Sequence, residues 1–345
     1  MHFPDIRRVA AVTASAALAA VMTLGGAGAA QAAPEQDASG AATASTAKAS
    51  VSAAAARSGQ SVADQASNYW TPERMRTAIS ADTLVKKADT KSGTALGPTG
   101  PARSVPAAAP TVSSNALGKT AAGGGMGTNV NASATVGKVF FYNPANGGNY
   151  VCSAGTVNSG SKLLVMSAGH CVHGGAGGQW MQNWVFVPYY NYGSAPYGQW
   201  SAKYLTTFNA WINSSDLSRD VSWITVWPNS SNQALVNVVG GNGIMANYPY
   251  QQFITILAYP AAPPYDGGWQ QYCQGNSYQS GNKMAMNCGF TGGSSGSLWL
   301  QGYSDSTTLG NVDGIMSTLD GAGVNRSSYF DTAVWDVYVS VANRT

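Results

Sequence analysis

From about Thr135 to the C-terminus the chain is heavily punctuated: short runs rich in Val, Ile, Trp and Tyr alternate with clusters of Gly, Asn, Ser and Pro. That pattern specifies many short strands, hence an all-β sandwich or barrel. Strands are predicted at Gly137 to Tyr142, Lys162 to Met166, Trp184 to Pro188, Val221 to Trp227, Phe253 to Tyr259, Ser297 to Gln301 and Val312 to Ser317. Roughly 210 residues suits one such domain, and no internal repeat divides it.

The region before it has another character. Arg7 and Arg8 lead into an apolar run from Val9 to Leu24, followed by Ala30-Gln31-Ala32, so residues 1–32 read as an export signal with a small-x-small cleavage site. The run is short for a spanning helix, so no membrane anchor is expected once the signal is removed. Residues 33–135 are dominated by Ala, Ser, Thr, Gly and Pro. With so few large apolar side chains they cannot offset their ordering entropy as a domain of their own, and they are expected to be a propeptide and linker, mostly disordered. One island stands out, Tyr69-Trp70-Thr71-Pro72-Glu73-Arg74-Met75-Arg76, where Thr71 can cap a short helix with Pro72 at its first position. It reads equally as a transient helix in a linker or as an element that docks on the downstream domain.

Charge and cysteine content narrow the function. From Val136 onward there are seven Lys and Arg, eight Asp and no Glu. The formal charge of +3 on the full chain therefore resides in the part expected to be removed. A near-neutral mature domain offers no basic groove for nucleic acid. Without Glu it also lacks the His-Glu-x-x-His helix of zinc proteases. Four cysteines in an exported chain favour two disulfides over a metal site, and no metal or cofactor is called for. The favoured pairings are Cys152 with Cys171 and Cys273 with Cys288, each close in sequence and next to a candidate catalytic segment. Their loops, 171 − 152 = 19 and 288 − 273 = 15 residues, are worth about 3 kcal/mol each in the chain-entropy model.

Two histidines remain in the mature region, His170 and His173. His173 sits in a Gly-rich loop and reads as an ordinary polar residue. His170 follows the apolar run Leu163-Leu164-Val165-Met166 through the small turn Ser167-Ala168-Gly169 and is tethered by Cys171. A strand end fixes the imidazole as a general base requires. The second candidate segment, Cys288 to Ser297, is pinned between a cysteine and the apolar run Leu298-Trp299-Leu300. Ser295 alone has Gly two residues before it and directly after it. Its own N–H and that of Gly293 can face a developing oxyanion, whereas Ser294 and Ser297 are the weaker alternatives as nucleophile. Between the two segments, Asp220 immediately precedes an apolar strand and is the candidate for orienting the histidine. Asp216 follows a polar turn and reads as a cap.

Ser167-Ala168-Gly169-His170-Cys171, Arg219-Asp220-Val221-Ser222 and Gly292-Gly293-Ser294-Ser295-Gly296-Ser297 together resemble the three sequence boxes of chymotrypsin-like peptidases, in that family's order of His, Asp, Ser. The nucleophile loop is most similar to the bacterial glutamyl endopeptidase branch. The resemblance implies two six-stranded antiparallel β-barrels over residues 136–345, with the triad His170, Asp220 and Ser295 in the cleft between them. It further implies a monomeric, secreted, extracellular serine endopeptidase acting on protein or peptide substrates. A secreted binding protein that kept the barrels and lost catalysis is the competing expectation.

The same resemblance implies a primary pocket formed by Gly289, Phe290, Met316, Ser317, Thr318 and Leu319. Gly289 stands where an aspartate would select basic residues, and Gly314-Ile315-Met316 lacks the histidine of glutamyl enzymes. An apolar preference of small or middling size is therefore expected. Ser294 occupies the position at which trypsin-like precursors carry an activating aspartate, so that switch is expected to be missing.

Overall fold

A computed structural model describes residues 44–85, 96–112, 122–123 and 130–345, all within one unit, Ser39–Thr345. The predicted export signal lies outside the described residues. The N-terminal part contributes β1 (Ala44–Lys48), α1 (Val62–Tyr69), α2 (Pro72–Thr77), β2 (Ile79–Ser80), β3 (Arg103–Val105) and β4 (Ala122–Gly123). The first half of the remainder contains β5 (Val136–Asn143), β6 (Gly148–Val157), β7 (Leu164–Ser167), β8 (Gln182–Pro188), β9 (Trp200–Phe208), α3 (Asn209–Ser214) and β10 (Ser222–Val226). After α4 (Leu235–Val239) and β11 (Gly243–Ala246) come β12 (Phe253–Ala258), β13 (Gln271–Asn276), β14 (Tyr278–Ser280) and β15 (Lys283–Asn287). The chain ends with β16 (Leu298–Ser304), β17 (Leu309–Leu319), β18 (Val324–Ser328) and α5 (Thr332–Val341).

The fold is all-β and chymotrypsin-like. Strands run in the order β9-β10-β7-β6-β5-β8, and β8 returns to pair with β9, closing a six-strand antiparallel barrel. The second set, β15-β18-β17-β16-β12-β13, curls without β13 pairing to β15. Cys273 on β13 and Cys288, one residue past β15, join those two ends of the curl covalently. Each predicted strand is present, with shifted ends; Gly137 to Tyr142, for example, lies inside β5.

The apolar run of β5 has no polar face because both of its faces are covered, which is what a continuous rather than alternating pattern signifies. Val139 and Phe141 point into the barrel core with Trp184 and Phe186 of β8. Val136 and Phe140 point the other way, into a second cluster with Val151, Val185, Val187, Leu257 and Tyr259. That outer cluster is completed by Ala55, Ala66, Tyr69, Trp70 and Met75 from the N-terminal part.

The island around Trp70 is thus docked rather than transient. Thr71 accepts from the Arg74 N–H and Pro72 opens α2, as its sequence predicts. Trp70 is 1% exposed, its Nε1–H donates to the Asn183 carbonyl at 2.5 Å, and its ring lies 5.5 Å from that of Phe140. The N-terminal part also lends strands to both sheets: β1 lies antiparallel on β9 and β2 parallel on β6, while β3 lies antiparallel on β11 and β4 parallel on β13. A segment too poor in apolar residues to build a core completes one that already exists.

Truncating a fully buried tryptophan removes about 3–5 kcal/mol. Trp70→Ala is therefore expected to loosen residues 44–85, seen as roughly hundredfold or faster cutting within that stretch by an added protease. Unaltered cutting would show that Trp70 does not hold the segment.

Candidate active site

β7 ends at Ser167, and a 3-10 turn, Gly169–Cys171, carries His170. Three attachments fix that turn. The Cys152–Cys171 disulfide, with its Cα atoms 6.3 Å apart, ties it to β6. Ser167 Oγ donates to the Ser153 carbonyl at 2.9 Å, and Ser222 Oγ donates to the Ala168 carbonyl at 2.8 Å. Gly169 has to be small, since a Cβ there would lie 2.9 Å from Thr207 Oγ1 and 3.0 Å from Asp220 Oδ1.

Asp220 receives donors from two sheets. The His170 backbone N–H donates to Oδ1 at 2.8 Å, and the His170 ring Nδ1 lies 2.9 Å from Oδ2. Ser317 Oγ, on β17, donates to the same Oδ2 at 2.7 Å. An ionised carboxylate can only accept, which puts the ring proton on Nδ1 and leaves the neutral imidazole a lone pair on Nε2. That Nε2 has no hydrogen-bond partner among the described residues.

Burial by itself would lower the His170 pKa. The charge and hydrogen bond of Asp220, with the charge of Asp82, outweigh burial and Lys283, and the net shift is upward. For Asp220 burial pushes upward, but His170, the Ser317 hydrogen bond and the Lys283 charge bring it below its ordinary value. Lys283, on β15, escaped the sequence reading. It is 7% exposed, and its Nζ donates to Ser317 Oγ at 3.1 Å and Thr318 Oγ1 at 3.4 Å. Desolvation takes its pKa down to about 8, opposed by the Asp220 charge. Nothing local in Lys-Met-Ala-Met-Asn marks this lysine as buried behind a carboxylate.

Asp216 caps the 3-10 turn Leu217–Arg219 by accepting from the Ser218 N–H at 2.8 Å, the role its turn context predicts. His173 is a satisfied core residue: its Nδ1 accepts from the Gly175 N–H at 3.1 Å. Cys152, His170 and Cys171 lie close together, but the two sulfurs are bonded to each other and leave no thiolate for a metal.

The segment from Cys288 to Ser297 is clamped despite its Gly and Ser content. The carbonyl of Ser295 accepts from the Ser153 N–H at 2.7 Å, that of Gly293 from Ser153 Oγ at 2.9 Å, and that of Gly292 from the Ala261 N–H at 2.6 Å. Gly293 (φ +98°) and Gly296 (φ +83°) have left-handed backbones open to glycine. A Cβ on Gly296 would also stand 2.1 Å from Ser167 Oγ. Ser294 Oγ donates to the Thr291 carbonyl at 2.8 Å, and Ser297 Oγ is buried without a partner among the described residues. Ser295 Oγ instead donates to Asp82 Oδ1 at 2.7 Å, while the Gly293 N–H donates to Asp82 Oδ2 at 2.7 Å. Asp82, 213 positions before Ser295, was not foreseen.

Of the predicted pocket residues, Phe290 and Met316 meet in one buried apolar cluster with Met284, Met286 and Trp299. Asn325 clamps the Phe290 backbone by accepting from its N–H and donating to its carbonyl, each at 3.0 Å. Gly289 (φ +65°) donates to the Gly323 carbonyl at 2.9 Å. Ser317 faces Asp220, Thr318 meets Lys283, and Leu319 pairs with Asn325 across β17 and β18.

No family model matches this chain, and no curated protein matches it. Solved structures do. A thermostable serine protease, AL20, from an extremophilic microorganism is 31% identical, covering 62% of this chain and 99% of its own, with a TM-score of 0.57. Protease Anisep from Arthrobacter nicotinovorans is 31% identical over 61% of this chain and 96% of its own, with a TM-score of 0.57. A Glu endopeptidase in complex with MPD is a more distant likeness, at 16% identity and a TM-score of 0.48.

The Lys283 charge opposes protonation of His170 and is present below about pH 8. Lys283→Met is thus expected to move the His170 pKa further up, and Asp220→Asn to move it down, as read from imidazole resonances during a pH titration of the Ser295→Ala protein. A His170 titration unmoved by Lys283→Met would show that the ammonium does not act on the site.

Proposed function

Because this chain belongs to the chymotrypsin-like serine proteases, we propose that it cleaves internal peptide bonds with Ser295 as nucleophile, His170 as general base and Asp220 as the group that orients it. The observation that carries the assignment is the double grip of His170 on Asp220 through its backbone N–H and Nδ1. That grip fixes the ring and its tautomer and leaves Nε2 as the only proton acceptor on it.

In this reading His170 Nε2 takes the Ser295 hydroxyl proton as Oγ bonds to the substrate carbonyl carbon. The resulting oxyanion is met by the N–H groups of Gly293 and Ser295, and the imidazolium is balanced by Asp220. Collapse of the adduct breaks the C–N bond, and His170 passes its proton to the departing amine. Water, deprotonated by the same imidazole, then hydrolyses the acyl-enzyme. Asp216, spent on its own cap, takes no part.

The reading extends to processing and location. Residues 1–32 are an export signal, 33–135 a propeptide, and 136–345 the secreted, extracellular peptidase. Supporting this are two disulfides, which persist in oxidising compartments, and the change of composition and charge near Thr135. None of the described helices is long and apolar enough to cross a membrane. Amino-terminal sequencing of the active secreted enzyme is expected to begin near Thr135; retention of residues 33–135 on the active species would refute the propeptide.

Ser295→Ala and His170→Ala are expected to lower turnover by about a millionfold with folding kept, and Asp216→Asn to leave it nearly unchanged. Normal turnover in Ser295→Ala would overturn the assignment. For specificity, the buried cluster of Phe290 and Met316 supports apolar residues of small or middling size on the acyl side of the cut bond. Otherwise identical peptides varied at that residue test it. A preference for Arg or Lys would reject the pocket, and one for Glu or Asp would mean that a group other than Met316 meets the carboxylate.

A further inference from the structure

We propose that Asp82 is a tethered inhibitor: its carboxylate occupies the oxyanion site and holds the nucleophile, so that the unprocessed chain is silent even though its catalytic groups are already assembled. The inference rests on the reading of Ser295 and His170 as nucleophile and base.

Both oxygens of Asp82 are used. Oδ2 accepts the Gly293 N–H at 2.7 Å, the donor that a substrate's oxyanion would need. Oδ1 accepts the Ser295 hydroxyl at 2.7 Å, turning its proton away from His170 Nε2. A carboxylate has the two-oxygen geometry of a cleaved peptide's new terminus, so the catalytic donors receive it without rearrangement. Its negative charge also favours an imidazolium on His170, and an imidazolium cannot accept a proton.

The carboxylate is held from behind. Ser80 Oγ donates to Asp82 Oδ2 at 2.6 Å and accepts from the Asp82 N–H at 3.2 Å, capping the 3-10 turn Ala81–Leu84. Ser80 is itself in register with Val151 of β6, beside the Cys152 disulfide. Ala81, fully buried, packs into the barrel core.

Gly292 provides an independent sign that the cleft is shaped for this segment. Its φ is not in the left-handed range, and the atoms nearest to a Cβ placed there are Ser80 Oγ at 2.6 Å, Ser80 Cβ at 3.1 Å and Asp82 Oδ2 at 3.3 Å. The closest demand for a bare glycine thus comes from the segment that includes Ser80 and Asp82. Ser294 adds a complementary argument. Being uncharged and bonded to the Thr291 carbonyl, it offers no buried aspartate for a new amino terminus to pair with. An oxyanion loop that is formed before processing needs something in it to keep the precursor inactive.

The test follows labelling of Ser295 by a serine-directed phosphonylating probe, by intact mass, in the uncleaved precursor and in the mature form released from it. Phosphonylation forms an Oγ–P bond, expels the probe's leaving group and needs the Gly293 donor for the phosphonyl oxygen, so it competes with Asp82 directly. The wild-type precursor is expected to label at least tenfold more slowly than the mature form. Asp82→Ala in the precursor is expected to recover at least tenfold, with residues 44–85 still resistant to added protease. Should Asp82→Ala not be secreted, Asp82→Asn keeps the shape without the charge and is expected to label several-fold faster than wild type. Labelling of the Asp82 variants at the wild-type precursor rate, beside a rapidly labelled mature form, would overturn the inhibitor. Fast labelling with the segment undocked would overturn it too, since bulk and not the carboxylate would then be the block. A mature form that does not label at all would instead overturn Ser295 as the nucleophile.

Discussion

Asp220 is wholly buried, and an ionised carboxylate taken out of water costs several kcal/mol unless donors and opposite charge replace the solvent. Those replacements come from separate parts of the chain: the turn after β7 supplies two N–H groups from His170, β17 supplies the Ser317 hydroxyl, and β15 brings the Lys283 ammonium up behind Ser317. The first barrel provides the acid and the imidazole, and the second provides the hydroxyl and the cation. The carboxylate can stay charged only while the two sheets remain in this relation. The disulfide under His170, the bare Cα of Gly169 and the Ser222 tie to Ala168 all hold the turn in reach of that one group.

The nucleophile loop has a parallel dependence, on Ser153 of β6. One residue uses its N–H, its hydroxyl and its carbonyl to bind Ser295, Gly293 and Ser167 in turn, and its hydroxyl also accepts from the Tyr259 N–H at 2.9 Å. Ser153 is next to Cys152, so the disulfide, the His170 turn and the nucleophile loop share a few ångströms of a single strand. Composition alone would make Gly292 to Ser297 a flexible run. Its carbonyls, fixed from outside, make it a rigid one.

The candidates for the proposed triad could be read from sequence because their signals are local. His170 at a strand end beside a cysteine, Asp220 against an apolar strand and Ser295 between glycines are each arrangements of a few neighbouring residues, and the structure brings His170 and Asp220 into direct contact. Strands made of large apolar residues were legible too. β6, with Gly, Ser and Ala among its buried positions, and β15, which opens on a lysine, carry no such signal, because their burial is imposed by neighbouring strands. Lys283 and Asp82 were invisible for the same reason: each acquires its place through partners far along the chain, and a charged residue in a polar stretch reads by default as solvated. The N-terminal third was judged on whether it could bury itself, which its composition forbids. Its described residues, Ala55, Ala66, Tyr69, Trp70 and Met75 among them, bury in one cluster with Phe140, Val151 and Val185 instead, a possibility that an intrinsic balance of entropy and area leaves out.

β1 bears on what the proposed release of residues 33–135 would do to the first barrel. It covers the edge of β9 from Tyr204 to Phe208, beyond Trp200 and Ser201, where β8 pairs with that strand. If residues 33–135 are released as proposed, β9 would be left with Tyr204 to Phe208 uncovered, its backbone donors and acceptors facing outward, the kind of seam through which β-proteins stick to one another. Arg344, near the C-terminus, lies across it, donating to Thr46 at 2.9 Å and Thr206 at 3.0 Å. Without Thr46, the Arg344 contact to Thr206 would keep a positive charge at that rim, and charge on an exposed strand edge discourages pairing between molecules.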